Sequence, residues 1–181
     1  MPRIFGNKIM LREYVDSDYE HIRRWVNDPK IVDTLSDSFL YPHSEKQTRD
    51  FLDRAMGRDW KGFVIAHCDT EEYIGQIDFV RLDLINGFGE IGIVIGNENN
   101  HGKGYGTEAL QLFMEFGFRE LRLNRIELVC WEHNVKGRRA YEKAGFVQEG
   151  VRRKKRYRHG QYYDEINYGV LRSEWEGDRT E

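Results

Sequence analysis

Three glycines at alternate positions, Gly102, Gly104 and Gly106, are the first grouping in this sequence that could do chemistry. Glycine takes backbone dihedrals that a Cβ forbids, and it lets the backbone come close to a ligand. The apolar run Ile91 to Ile95 reads as a strand, residues 96–106 as a loop, and the stretch from Thr107 as a helix. A helix that opens directly after such a loop presents unpaired N–H groups and the positive end of its dipole. That combination holds anions, most often phosphate. Gly106 or Thr107 can start the helix, and Glu108 falls in its first turn, where a carboxylate suits the dipole. Two familiar phosphate loops do not fit. A P-loop needs Ser or Thr directly after its lysine, whereas Lys103 is followed by Gly104. A dinucleotide loop needs Gly-x-Gly-x-x-Gly at the strand end, whereas this spacing is Gly-x-Gly-x-Gly and begins six positions past Gly96. Another phosphate-bearing ligand remains open, as does a glycine-rich surface turn that binds nothing.

Other reactive groupings are fewer. Cys68 and Cys130 sit at the ends of apolar runs and are too few for a disulfide framework or a metal cage. A reduced, cytoplasmic setting is the default expectation. His43, His101 and His133 are dispersed without metal-ligand spacing, so no metal is expected. The run Arg152-Arg153-Lys154-Lys155-Arg156-Tyr157-Arg158 is the main rival signal, since clustered cations with tyrosines can track phosphates. On a strand, however, alternate residues point to opposite faces and the run splits into two patches. The 31 Asp and Glu also outweigh the 28 Lys and Arg, leaving a net charge of −3. No nucleic-acid partner is expected. With 181 residues, 39% hydrophobic and 33% charged, the chain fits one globular domain with a real core. Its apolar runs are strand-sized, short of the roughly 20 residues of a membrane span, and its N-terminus does not resemble a signal peptide. No membrane partner is expected.

The elements that must position the glycine loop can be read in order. Lys8 to Arg12 reads as a first strand, and Asp16-Ser17-Asp18 offers N-caps for a helix carrying Tyr19, Ile22, Trp25 and Val26. Asn27-Asp28-Pro29 ends that helix. Residues 33–43 look like loop, and Ser44 followed by Gln47 forms a capping box for a helix to about Met56. Trp60 to His67, Tyr73 to Leu84 and Phe88 to Ile95 read as an antiparallel meander, with Asn86-Gly87 as a hairpin turn. The helix from Thr107 to Leu121 shows a broad apolar face of Ala109, Leu110, Phe113, Phe116, Gly117 and Leu121. The strand Arg125 to Trp131 then pairs in parallel with the strand ahead of the loop, as a right-handed crossover requires. Asn134 to Ala144 is a short helix with Gly145 as C-cap, and a final pair of strands flanks the His159-Gly160 turn.

The stretch His101-Gly102-Lys103-Gly104-Tyr105-Gly106 resembles the A motif of the GNAT superfamily of N-acetyltransferases, Gln/Arg-x-x-Gly-x-Gly/Ala, with histidine at the first position. Asn134-Val-Lys-Gly-Arg-Arg-Ala-Tyr141-Glu-Lys-Ala-Gly-Phe146 is similar to the later motif of the same superfamily, and the element order is its layout too. The match extends over roughly residues 8–172. Within the superfamily it is similar to the branch of ribosomal-protein N-terminal acetyltransferases and spermidine acetyltransferases. The resemblance implies an α/β (α+β) GNAT fold, a mixed, mostly antiparallel sheet with one splayed parallel pair, about four flanking helices, and a single domain over residues 1–181. It also implies acetyl-CoA as co-substrate, with His101, Gly102, Lys103, Gly104, Tyr105, Gly106 and Thr107 around its pyrophosphate. Ile93, Val94 and Ile95 then lie along its reactive arm, with an N–H near Ile93 or Val94 for the carbonyl oxygen. Asn134 caps its helix and contacts the pantetheine, Arg138 joins the cofactor set, and a homodimer is the family's habit.

Acetyl transfer needs an amine, a base and an acid for the departing sulfur. The resemblance assigns the acid to Tyr141, a phenol of pKa about 10 facing a thiol of about 8.5; the alternative is a helix residue that only packs its ring. Glu90 leads as base, directly or through water, with a solvated strand-end carboxylate as the alternative. Deprotonating a lysine-type amine at about pH 7.5 costs about 4 kcal/mol and an α-amine well under about 1, so a site without an obvious base leans toward low-pKa amines. Gly137 departs from the Ser or Ala of the family, and the basic run stands where the ribosomal-protein branch tends to carry Glu. The expected activity is transfer to a primary amine, either a protein N-terminus or a small molecule. A non-catalytic CoA-binding sensor on the same fold is the alternative.

Overall fold

Secondary structure follows the hydrophobic periodicity of the chain. The computed structural model describes residues 3–177. Its elements are β1 (Ile4–Phe5), β2 (Ile9–Arg12), α1 (Tyr19–Trp25), α2 (Pro29–Val32), α3 (Glu45–Ala55), β3 (Gly62–His67), β4 (Tyr73–Asp83), β5 (Phe88–Ile95), α4 (Tyr105–Arg119), β6 (Arg125–Trp131), α5 (Val135–Ala144), β7 (Val147–Arg158), β8 (Gln161–Leu171) and α6 (Arg172–Gly177). Hydrogen bonds order the strands β1-β2-β3-β4-β5-β6-β8-β7. The pairing is mostly antiparallel, and β5 with β6 is the parallel pair. The chain folds as two compact units, Met1–Asp78 with Ile93–Ala109, and Phe79–Gly92 with Leu110–Glu181.

In the first unit β2, β3 and the start of β4 pair antiparallel, and one face of them packs on α1 and α3. The apolar side chains there, Met10, Ile22, Trp25, Leu52, Val64, Ala66 and Val94 among them, are all buried. The capping box of α3 forms as its sequence requires: Ser44 Oγ accepts the Gln47 N–H at 3.2 Å, and Gln47 Oε1 accepts the Ser44 N–H at 2.8 Å. The segment Asp16-Ser17-Asp18 behaves differently from the expected N-cap. Residues Asp16–Asp18 form a 3-10 turn, and the carboxylate of Asp18 makes no cap bond to α1. Instead it takes Arg12 in a fork, Nη2 to Oδ1 at 2.7 Å and Nη1 to Oδ2 at 2.9 Å, with Arg12 4% and Asp18 1% exposed. The Val15 N–H adds a third donor, so a buried charge pair wins over a helix cap. Asp28 does cap a helix, α2, which sequence periodicity is too short to reveal.

In the second unit β6 pairs antiparallel along its length with β8, and β8 with β7. The parallel register of β5 with β6 covers Phe88↔Arg125, Gly89↔Ile126 and Glu90↔Glu127. Leu110, Phe113, Met114 and Phe118 of α4 are buried, and Phe113 lies 4.5 Å from Phe79, centroid to centroid. The terminal α6, unforeseen from sequence, seats Trp175 5.3 Å from Phe118. The turn of the last hairpin falls at His159 and Gly160, both at positive φ, as expected. Several boundaries move: α4 runs Tyr105–Arg119 against an expected start at Gly106 or Thr107 and end at Leu121, β3 begins at Gly62 rather than Trp60, other ends shift by a residue, and the short β1 was not expected. Among the described residues six α-helices form, two more than expected, because α2 and α6 are too short to show a periodicity.

Candidate active site

The glycine loop lies in the first unit. Gly102 and Gly104 hold φ of +75° and +88°, a region that L side chains avoid, and open space surrounds the position of a Cβ on each. Backbone bonding of the preceding turn ends with the His101 N–H on Glu98, and the Glu108 N–H bonds Gly104 as the first rung of α4. Gly104, Tyr105, Gly106 and Thr107 therefore carry the N–H groups that have no partner inside the helix. The earlier start of α4 puts Tyr105 and Gly106 in its first turn, which brings more of the motif under the dipole. His101 turns back on the strand, its Nε2 3.2 Å from the Ile95 carbonyl oxygen. Glu108 accepts the N–H of Lys8 at 3.0 Å and that of Asn7, while Lys8 Nζ reaches the Lys103 carbonyl at 3.3 Å. Lys103 itself is exposed and Tyr105 sets its ring edge-on to His67 at 5.2 Å. Val94 is buried while Ile93 and Ile95 are half-buried. The donor set suits a diphosphate: backbone amides, a helix start and cationic side chains, with room in front.

Asn134, Arg138 and Tyr141 come together on α5 in the second unit. Asn134 Oδ1 accepts the Gly137 N–H at 3.0 Å, the cap expected of it. This accounts for Gly137, because a Cβ there would stand 2.5 Å from Asn134 Nδ2. Arg138 is already engaged, its Nε donating to Tyr168 Oη at 3.2 Å. Tyr168 Oη donates in turn to Glu142 Oε1 at 3.0 Å. Tyr168, absent from the sequence reading, is buried with its ring 5.8 Å from that of Tyr141. Nothing in the sequence showed where its hydroxyl goes. Tyr141 is 8% exposed and its phenol finds no hydrogen-bond partner among the described residues. Burial raises its pKa, with Cys130 and Tyr168 adding to it. Such a phenol stays protonated, a donor rather than a base. Burial also lifts the thiol of Cys130 to about 12.

Glu90 lies on β5 opposite Glu127. Burial raises its pKa and the Glu127 charge adds to the shift, while it makes no hydrogen bond among the described residues. A half-buried, unengaged carboxylate of raised pKa is a better base than a solvated one. Glu127 is taken by Arg125 at 2.7 Å. The basic run proves interrupted: Lys154 sits at φ 54° in an irregular stretch of β7, and Arg152 and Arg156 both close on the buried Glu165 at 2.8 Å. Arg158 lies buried over Trp131. Three of the run's cations are thus committed within the second unit, so a continuous phosphate track does not form.

The model of the Acetyltransferase (GNAT) domain family matches residues 8–147. The chain belongs to this family. Among N-acetyltransferase relatives, YoaA of Bacillus subtilis, itself uncharacterized, is 35% identical over 94% of this chain and 97% of its own. The spermidine N(1)-acetyltransferase of Escherichia coli is 28% identical, over 97% of this chain and 91% of its own. A GNAT acetyltransferase structure from Bacillus anthracis superposes with a TM-score of 0.81 at 27% identity, covering 94% of this chain and 98% of that one. The GNAT fold and an N-acetyltransferase activity follow, against the sensor alternative. No helix among the described residues is long and apolar enough to cross a membrane.

Proposed function

We propose that this GNAT enzyme moves the acetyl group of acetyl-CoA directly to a primary amine, with small-molecule amines ahead of protein N-termini. The observation that carries the reading is the loop in which Gly102 and Gly104 take left-handed φ with open space before them, at the first turn of α4. Bound there, acetyl-CoA supplies an activated acyl carbon and a thiolate leaving group. Gly104, Tyr105, Gly106 and Thr107 hold the pyrophosphate by their N–H groups, and Lys103 answers its charge. An N–H near Ile93 or Val94 takes the carbonyl oxygen, whose negative charge grows as the nitrogen–carbon bond forms. Glu90 accepts the proton that the amine sheds, through water. As the carbon–sulfur bond breaks, the phenol of Tyr141 gives its proton to the sulfur, and the phenol is restored from solvent. Asn134 and Arg138 shape the start of α5 for the pantetheine arm. The spermidine-acetylating relative supports a small amine, and the engagement of Arg152 and Arg156 with Glu165 supports a partner other than nucleic acid. Thiol release from acetyl-CoA across polyamines, amino sugars and peptides tests this. Release that requires an amine and yields the acetylated amine agrees with it; release equal with and without amine refutes it.

A further inference from the structure

Glu108 stands on the first turn of α4, and its carboxylate does more there than face the helix dipole. Its Oε1 accepts two backbone N–H groups from the turn between β1 and β2, that of Lys8 at 3.0 Å and that of Asn7. The same turn is fastened elsewhere too. The Gly6 N–H closes it on the Ile9 carbonyl at 2.9 Å, and the Cys68 N–H, just past β3, donates to the Lys8 carbonyl at 3.2 Å. The backbone of Lys8 is therefore held at both its N–H and its carbonyl. Its exposed side chain reaches the glycine loop, where Nζ donates to the Lys103 carbonyl at 3.3 Å. All of these residues belong to the first unit.

That carbonyl shares a peptide with the N–H of Gly104. No peptide bond among the described residues is cis, so the two groups point in opposite directions within one plane. Holding the oxygen of Lys103 therefore sets the direction of the Gly104 N–H, which itself makes no hydrogen bond among the described residues. The backbone alone does not set it. Turning this peptide over carries Gly104 from φ +88° to the negative side, and glycine takes both signs about equally well. Among the described residues, Lys8 is the one donor to the Lys103 carbonyl, so it is the contact that chooses between the two orientations.

We propose that Lys8 is a positioning residue for the diphosphate loop: it holds the Lys103 carbonyl so that the Gly104 N–H faces the ligand, and Glu108 seats it for that task. This rests on the loop being the acetyl-CoA site. Without Lys8 the peptide samples both orientations, and affinity falls by the fraction of chains that hold the competent one. In calorimetry with acetyl-CoA on the full chain, Lys8→Met should bind about tenfold more weakly. Lys8→Arg, which keeps a charged donor, should recover most of that loss. In steady-state kinetics the loss should appear in KM for acetyl-CoA without a fall in kcat. Glu108→Ala should weaken binding by a similar factor, while Glu108→Gln, which keeps the accepting oxygen, should bind nearly as the parent does. Melting curves confirm that each variant is folded. The deciding comparison combines Lys8→Met with Gly104→Ala. A lysine that acts through the Gly104 amide adds little to the loss Gly104→Ala already causes, whereas one that only answers the phosphate charge multiplies it. Multiplied losses, or parent affinity in Lys8→Met, overturn the inference and leave the loop as the cofactor site. A parent chain that binds no acetyl-CoA overturns the loop reading, and this inference with it.

Discussion

Replacing Gly104 with alanine separates what the glycine does for the fold from what it does for the ligand. At φ +88° an added Cβ meets no atom within 4 Å, so the substitution creates no clash within the protein. What remains is the left-handed backbone, about 1–2 kcal/mol for an L residue. For a chain of this size that is a fall in Tm of about 2–8 °C. Gly160 in the β7–β8 turn offers the matched control, with φ +81° and again nothing within 4 Å. Gly160→Ala should fall by a similar amount. Acetyl-CoA binding should differ sharply between the two. A Cβ at 104 fills the space before the amides, and losing one charge-assisted N–H to phosphate costs about 1.5–3 kcal/mol. Calorimetry should then show about 10- to 150-fold weaker binding for Gly104→Ala and unchanged binding for Gly160→Ala. Equal affinity for the two variants, at similar losses of Tm, would refute the assignment of the loop.

Tyr141→Phe keeps the ring on Phe146 and Tyr168 and should lower kcat about 10²- to 10⁴-fold with acetyl-CoA affinity intact, a split read by steady-state kinetics and calorimetry. Glu90 works as base only when ionised and its pKa is raised, so kcat/KM should fall as pH drops through a limb above the ordinary 4.5, and Glu90→Gln should erase that limb. Asp18→Asn leaves the buried Arg12 charge without its counterpart and should lose about 3–5 kcal/mol in urea unfolding, where an exposed pair would lose under about 1. Burial raises the carboxyl of Asp78 from 3.8 to about 7 on folding. The folded chain therefore binds the extra proton between those values, and stability falls as pH rises across that window, by at most about 4 kcal/mol. Asp78→Asn should flatten this slope in urea titrations at successive pH values.

Local signals carried most of the fold. The Ser44–Gln47 box, the αL Gly145 cap and the His159-Gly160 turn are each written within a few residues, and each forms as written. The crossover from β5 through α4 to β6 follows from element order and handedness, and the parallel register confirms the pairing. Long-range pairs were illegible. Asp18 reads as a cap from its neighbours and is claimed instead by Arg12, six residues earlier on another element. The first turn of α4 includes Tyr105, one residue ahead of the earliest start expected, because helix ends carry no sharp signal in a run of alternate glycines. At the candidate site, motifs pointed to Tyr141 and the glycine loop, but not to the Arg138–Tyr168–Glu142 chain. That depends on which strand faces which helix.

The most direct measurement is a stoichiometric one, acetyl-CoA consumed against acetylated amine formed, with putrescine as acceptor and mass detection of both products. The account predicts one acetylated amine for each thiol released, and loss of both together in Tyr141→Phe. Thiol release without acetylated amine, or undiminished transfer in Tyr141→Phe, would contradict it.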